Sequence, residues 1–180
     1  MPGRYEARGL EAEYEPGSRG RVLRNKLGIV RLREMQRAES EALLAAQEWA
    51  LTRFSAEHRF TAADIRALHS HWLEGIYAWA GQYRRVNLAK GELMFAAAAQ
   101  VPRLMEELER TELARHTPCS GMELDRLTAA LARTHGELVI IHPFREGNGR
   151  CARLLALLMA LQGGLPPLDF SPLSGKGRRG

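Results

Sequence analysis

A chain of 180 residues, 45% of them apolar, is long enough for one domain with a real core and too short for two. Its formal charge of +5 permits an acidic partner but does not call for nucleic acid: the basic clusters (Arg19, Arg21, Arg24, Lys26, Arg31 and Arg33; Lys176, Arg178 and Arg179) lack interleaved aromatics for base stacking. No apolar run reaches eighteen residues and the N-terminus has no apolar leader core, so neither a membrane span nor a secretory signal is expected.

Residues 1–32 are rich in Gly, Glu and Arg, with Pro2 and Pro16, and are expected to form an extended, mobile segment. Within it, Tyr14 and the run Val22-Leu23 to Leu27-Gly28-Ile29 have enough apolar character to dock. From Arg33 to Arg53, Met35, Ala38, Ala42, Ala45 or Ala46, and Trp49 recur at helical spacing. Thr61 as N-cap with Asp64 three residues later is a capping-box variant, and Phe60 and Ile65 can staple the entry. The stripe Ile65, Leu68, Trp72, Ile76 is core; His69 and His71 fall off it, on different faces, which argues against a shared metal.

After Gly81 the character changes. Tyr83, Val86, Leu88 and Leu93 to Phe95 surround Lys90-Gly91, the pattern of a short β-hairpin turning at the glycine. Val101, Leu104, Met105 and Leu108 define another amphipathic helix, with Pro102 tolerated in its first turn and an end at Arg115-His116-Thr117-Pro118. Ser120 and Glu123 form a second capping box, opening a helix through Leu124, Leu127, Leu131 and Leu138. A Leu-rich helix through Leu154, Leu157, Leu158 and Leu161 ends at Gly163-Gly164 and Pro166-Pro167, and a loose tail follows. The two cysteines, Cys119 and Cys151, form neither a disulfide framework nor a zinc pattern, so a reducing, cytoplasmic setting is expected. Cys151 is expected to serve as a small packing residue.

Between those last two helices lies Ile141-His142-Pro143-Phe144-Arg145-Glu146-Gly147-Asn148-Gly149-Arg150, continued by Cys151-Ala152-Arg153. Pro143 and Gly147 break helical continuity, so a loop should feed the first turn of the next helix. Such a turn suits an anion, because helix-start N–H groups have no intrahelical partner and glycine allows close approach. Arg150 and Arg153 share one helix face and can clamp phosphate oxygens. Glu146 offers a hard oxygen ligand for Mg²⁺. His142 is the only group here whose unperturbed pKa lies near neutral, which makes it the natural general base, and Asn148 can donate to phosphate without adding charge. A bland alternative is a capped helix start with a solvated Glu146–Arg salt bridge.

The string His142-Pro143-Phe144-Arg145-Glu146-Gly147-Asn148-Gly149-Arg150-Cys151-Ala152-Arg153 resembles the Fic family signature, HPFx(D/E)GNGRxxR, without departure. Looser resemblances lie at Tyr14 to Ile29 and at Trp72-Leu73-Glu74-Gly75-Ile76-Tyr77-Ala78-Trp79-Ala80-Gly81, followed by Tyr83-Arg84-Arg85-Val86-Asn87. The resemblance implies a mainly α-helical bundle over 33–168 and a β-hairpin flap over the active site, while composition leads to the expectation of a basic flexible tail at 169–180. It implies transfer of AMP from Mg²⁺·ATP to a hydroxyl of a target protein. His142 would be the base, Glu146 the metal ligand and Gly147 to Gly149 the anion turn, with Asn148, Arg150 and Arg153 holding the triphosphate. The flap (Val86, Asn87, Leu88, Lys90 and Gly91) would align a target segment by main-chain hydrogen bonds; otherwise it is a surface hairpin joining two helices.

Many family members are restrained by a glutamate set against the second signature arginine, here Arg153, from an (S/T)xxxE(G/N) helix in the same chain or a small partner. Ser70-His71-Trp72-Leu73-Glu74-Gly75 matches formally but lies inside a core-like segment, so Glu74 is expected to be solvated and an antitoxin partner is expected instead. Small relatives of this kind make type II topoisomerases candidate targets. Two other classes stay open: transfer of UMP, GMP, phosphocholine or phosphate by the same residues, and a non-catalytic nucleotide-responsive binding module.

Overall fold

The computed structural model describes residues 6–8 and 13–170. It is mainly helical, as expected. Helix α1 (Leu32–Arg53) packs along α2 (Ala62–Leu73), while α5 (Leu124–Ile141) and α6 (Asn148–Gln162) pack on each other and carry the signature loop between them. Helix α6 is the centre of the bundle. Its buried residues include Cys151, Ala152, Leu154, Leu155, Ala156, Leu158, Met159 and Ala160, which leaves little of its circumference for solvent. Leu157 and Leu161, expected in the core, are only partly buried. The helix stops where Gly163 donates to the Met159 carbonyl at 3.1 Å and Leu165 to the Ala160 carbonyl at 3.0 Å, with Gly164 at φ +77.

The capping box of α2 is present. Thr61 Oγ1 accepts from the Asp64 N–H at 3.1 Å, and the Asp64 carboxylate accepts from the Thr61 N–H at 2.9 Å. A further helix-start donor, the Ala62 N–H, goes to Glu109 at 2.7 Å. Phe60 and Ile65 are both buried in the main core cluster. The second expected box does not form. Gly121 sits at φ +71 and Met122 donates to the Cys119 carbonyl at 3.2 Å, so Ser120 belongs to a turn, and α5 starts at Leu124 with Glu123 as an N-cap that makes no side-chain bond.

The hairpin has strands β2 (Asn87–Lys90) and β3 (Leu93–Met94), with Gly91 at φ +59 in the turn. A third strand, β1 (Glu6–Arg8), pairs antiparallel with the other edge of β2, opposing Ala7 to Leu88; the hairpin pattern gave no sign of it. Helix α3 (Val101–Leu108) runs on through a π-type turn (Glu109–Leu113) into the short α4 (Ala114–His116). The wider turn accommodates an extra residue, which keeps both Leu108 and Leu113 in the core although they are five apart.

Residues 13–31 are extended but held in place. Tyr14 bridges Leu23, the Asn25 amide donates to the Leu23 and Ile29 carbonyls, and the Lys26 N–H donates to the Ile76 carbonyl at 2.8 Å. Val22 is buried against Met35, Trp72 and Tyr77. The mobility expected at 1–5, 9–12 and 171–180 concerns residues outside those described. Among the described residues no helix is long and apolar enough to cross a membrane.

Candidate active site

Helix α5 ends on His142, whose backbone is left-handed (φ 53, ψ 59) and whose N–H closes the helix on the Leu138 carbonyl at 3.1 Å. A non-glycine residue there is strained by roughly 1–2 kcal/mol, so the surroundings must hold it. Arg84 does so. This buried side chain donates from Nε to the His142 carbonyl at 2.6 Å and from Nη2 to the Ile141 carbonyl at 3.3 Å. Its Nη1 reaches the Val86 carbonyl at 2.7 Å, its Nη2 also reaches the Ala96 carbonyl, and its own N–H goes to the Pro143 carbonyl. One guanidinium therefore joins both sides of the hairpin to the end of α5.

The His142 ring is 3% exposed and stacks on Phe95, which follows β3, with centroids 3.7 Å apart and planes 16° apart. Its Nδ1 lies 3.1 Å from the Val139 carbonyl. A carbonyl can only accept, so Nδ1 carries the proton and Nε2 is the basic nitrogen.

The following loop is shaped from two sides. Asn148 Oδ1 accepts from the Phe144 N–H and Nδ2 donates to the Phe144 carbonyl, both at 2.7 Å. This corrects the expectation that the Asn148 side chain donates to phosphate: its amide is buried and closes the loop, leaving the helix-start N–H groups to face an anion. Gly147 sits at φ +85, and a Cβ there would meet Trp72 Cζ3 at 2.6 Å, so only glycine fits over that indole. From beneath, His69 accepts the Gly81 N–H on Nδ1 at 2.9 Å and donates from Nε2 to the Glu146 carbonyl at 3.0 Å, with its ring stacked on Phe144.

His69 is inside the core, not off it as the stripe suggested; burial, the largest cause, pushes its pKa down from 6.5 to about 4. Between those two values the unfolded chain binds a proton that the native state refuses. Stability should therefore be full above about pH 6.5 and fall by up to ~3 kcal/mol as the pH drops toward 4. Urea titrations across that range check this: the acid-side loss should shrink in His69→Gln, and an unchanged loss would remove His69 as its source.

The turn opens onto a cavity of about 290 Å³ lined by Glu146, Gly147, Gly149, Arg150 and Arg153, by Met35, Glu39 and Tyr77, and by Arg21, Val22 and Leu23. Arg150 Nη1 pairs with Glu39 at 2.8 Å, Nη2 lies 3.6 Å from Glu146, and the guanidinium sits over Trp72 at 4.5 Å. Glu39 is 6% exposed; its second oxygen accepts from the Tyr77 hydroxyl at 2.7 Å, and its backbone carbonyl accepts from Trp72 Nε1. Burial, then Glu39, raises the Tyr77 pKa, so this phenol stays a donor. Arg153 lines the same cavity, and after burial it is the next cause that lowers the His135 pKa.

The signature residues thus come together, with His142 at the hairpin side of the turn and Arg150 and Arg153 at the cavity side. The flap residues divide. Val86 and Leu88 are buried, Asn87 accepts the Ala98 N–H, and Lys90 and Gly91 are exposed at the tip. Glu74 is exposed at the end of α2, bonded to Ser70, and does not line the cavity. Among the described residues no group of three or more His, Cys, Asp or Glu could hold a metal. Glu146 alone is a ligand that fits Mg²⁺ held mainly by substrate phosphates: one oxygen accepts from the Gly147 N–H at 3.0 Å, leaving the other for a cation. Glu39, His69, Arg84 and Phe95 are the site residues that motif reading misses.

A sequence profile of the Fic/DOC family matches residues 59–160. Protein adenylyltransferase VbhT of Bartonella schoenbuchensis is 30% identical over 143 residues, 79% of this chain and 30% of that protein. The probable protein adenylyltransferase y4lH of Sinorhizobium fredii is 32% identical over 114 residues, 63% of this chain and 59% of that protein. The chain thus spans less than two thirds of either relative. In fold, it superposes on the BepC protein of Bartonella tribocorum, crystallised with AMPPNP, with a TM-score of 0.73 at 24% identity, covering 93% of this chain and 83% of that one.

Proposed function

The chain belongs to the Fic/DOC family, and from that premise we propose that it is a protein adenylyltransferase, moving AMP from Mg²⁺·ATP to a Ser, Thr or Tyr hydroxyl of another protein. The observation that carries this reading is the pairing at one loop of a basic imidazole nitrogen with a glycine turn that opens onto an arginine-lined cavity. The names of the adenylyltransferase relatives and the AMPPNP in the BepC crystal support the choice of group and nucleotide.

In this reading His142 Nε2 takes the hydroxyl proton as the oxygen bonds to the α-phosphorus. The bond from that phosphorus to the bridging oxygen breaks, and pyrophosphate leaves toward Arg150 and Arg153. The helix-start N–H groups of α6 and the two guanidiniums stabilise charge on the departing oxygens. Glu146 would hold Mg²⁺, which supplies further neutralisation of the polyphosphate when bound. Target docking falls to the hairpin, whose β3 edge carries the exposed Leu93 and Met94 beside Phe95. Restraint falls to a separate small protein that sets a glutamate against Arg153, since Glu74 is spent elsewhere.

Incubating lysate with the protein and ATP labelled at the α or the γ phosphate tests this directly. Label should enter protein from the α position alone, and mass spectrometry of the labelled band names the target, with type II topoisomerase subunits the first to inspect. Incorporation from γ alone would replace AMP transfer with phosphate transfer.

A further inference from the structure

The cavity beside the glycine turn includes Glu146, Gly147, Gly149, Arg150 and Arg153 in its lining, but not His142. In an in-line displacement the attacking and leaving oxygens lie on opposite sides of the phosphorus. A nucleotide with its α-phosphorus beside His142 therefore sends its leaving pyrophosphate into this cavity. Inside it, one signature cation is already partly neutralised: Arg150 is bound by Glu39 at 2.8 Å and approached by Glu146 at 3.6 Å. Part of the wall comes from outside the signature, from Arg21, Val22 and Leu23.

That wall is a built element. The Glu15 N–H and the Ser18 hydroxyl both donate to the Val22 carbonyl, at 2.8 and 3.2 Å, and the Arg21 N–H donates to the Ser18 carbonyl at 3.3 Å. Ser18 and Val22 are buried at 2% exposure each, and Arg19 and Gly20 take left-handed backbones to close the bend. The bend fixes the Arg21 backbone, and the residue is exposed and lines the cavity. Neighbouring Arg24 is engaged by Glu13 at 3.5 Å, whereas among the described residues no carboxylate pairs with Arg21. An exposed guanidinium with no carboxylate partner among the described residues, beside a cavity that also holds Arg150 and Arg153, adds to the positive potential an anion meets there.

Resting on the adenylyltransferase reading, we infer that Arg21 binds the terminal phosphate of the nucleotide and makes the site select a triphosphate over a diphosphate. It is a third arginine for the polyphosphate, supplied by the N-terminal hook and unmarked by the signature. Its contact lies two bridging oxygens from the α-phosphorus, where ADP has nothing to offer.

Isothermal titration of Mg²⁺·AMPPNP and Mg²⁺·ADP into wild type, Arg21→Gln and Arg21→Lys separates the outcomes. Arg21→Gln should weaken AMPPNP about five- to tenfold, the loss of one charged hydrogen bond at a half-open site, and ADP less than about twofold. Arg21→Lys should recover most of the loss, and melting without nucleotide should not move, because the side chain is exposed. Equal weakening of both nucleotides would make Arg21 a general source of positive potential and overturn the inference, as would no change for either. A wild type that binds neither nucleotide would instead overturn the adenylyltransferase reading, before any variant is needed.

Discussion

Replacing His142 with Ala should lower AMP transfer by at least about 10²–10⁴-fold while leaving Mg²⁺·AMPPNP affinity close to wild type. The two quantities separate because the cavity lining holds the turn and the arginines but not the imidazole. On the proposed function, binding belongs to one face of the junction and proton transfer to the other. Alanine at φ 53 adds strain without the side-chain bond to Val139, so a loss of about 1 kcal/mol in stability should accompany the change. His142→Asn controls for this: Asn tolerates the left-handed region, so it should melt closer to wild type and be equally inactive. Single-turnover rates with α-labelled ATP, beside calorimetric affinities, make the comparison. A His142→Asn protein that still transfers AMP within tenfold of wild type would show that no base is needed there.

The grouping of the signature residues is readable in the sequence because they are contiguous. His142 to Arg153 span one loop and one helical turn, and spacing alone puts both arginines on a common face. The helices are readable for the same local reason, as the Thr61–Asp64 capping box illustrates. What is not readable acts across long separations. Arg84 reaches His142 from 58 positions away, and His69 reaches Glu146 from 77. Neither carries a local signal for its partner. Two softer signals do exist. Glu39 lies four after Met35 and seven before Ala46, on the buried face of α1, where a carboxylate needs a partner. His69 lies four after Ile65 and three before Trp72, within the core stripe rather than beside it. Ser120 misleads in the opposite direction. Its spacing to Glu123 suits a capping box, but Gly121 supplies a turn first, and local chemistry settles the start of α5.

Arg84→Met should be the most destabilising substitution outside the signature, by ~3–5 kcal/mol, and should also abolish transfer. Methionine fills much of the same volume, so the loss measures polar contacts rather than a cavity. The carbonyls of His142, Ile141, Val86 and Ala96 would lose the donors of this one guanidinium, two of them on the chain entering the site and two flanking the hairpin. Buried acceptors left unmatched cost about 1–3 kcal/mol each, less wherever water or relaxation reaches them, which sets the range below the full sum. The functional loss has a separate origin: without the bond from Nε, the Phe95 stack and the Arg84 backbone N–H to Pro143 must hold the left-handed His142 backbone, and the imidazole relaxes from its aim. Arg84→Lys resolves the two contributions. It keeps the charge and one donating centre but cannot reproduce the fork, so it should recover about half the stability and little of the activity. Urea midpoints and transfer rates, both taken where each variant is folded, decide the matter. If Arg84→Lys recovers activity in proportion to stability, the guanidinium is holding the bundle together and has no separate part in aiming the base.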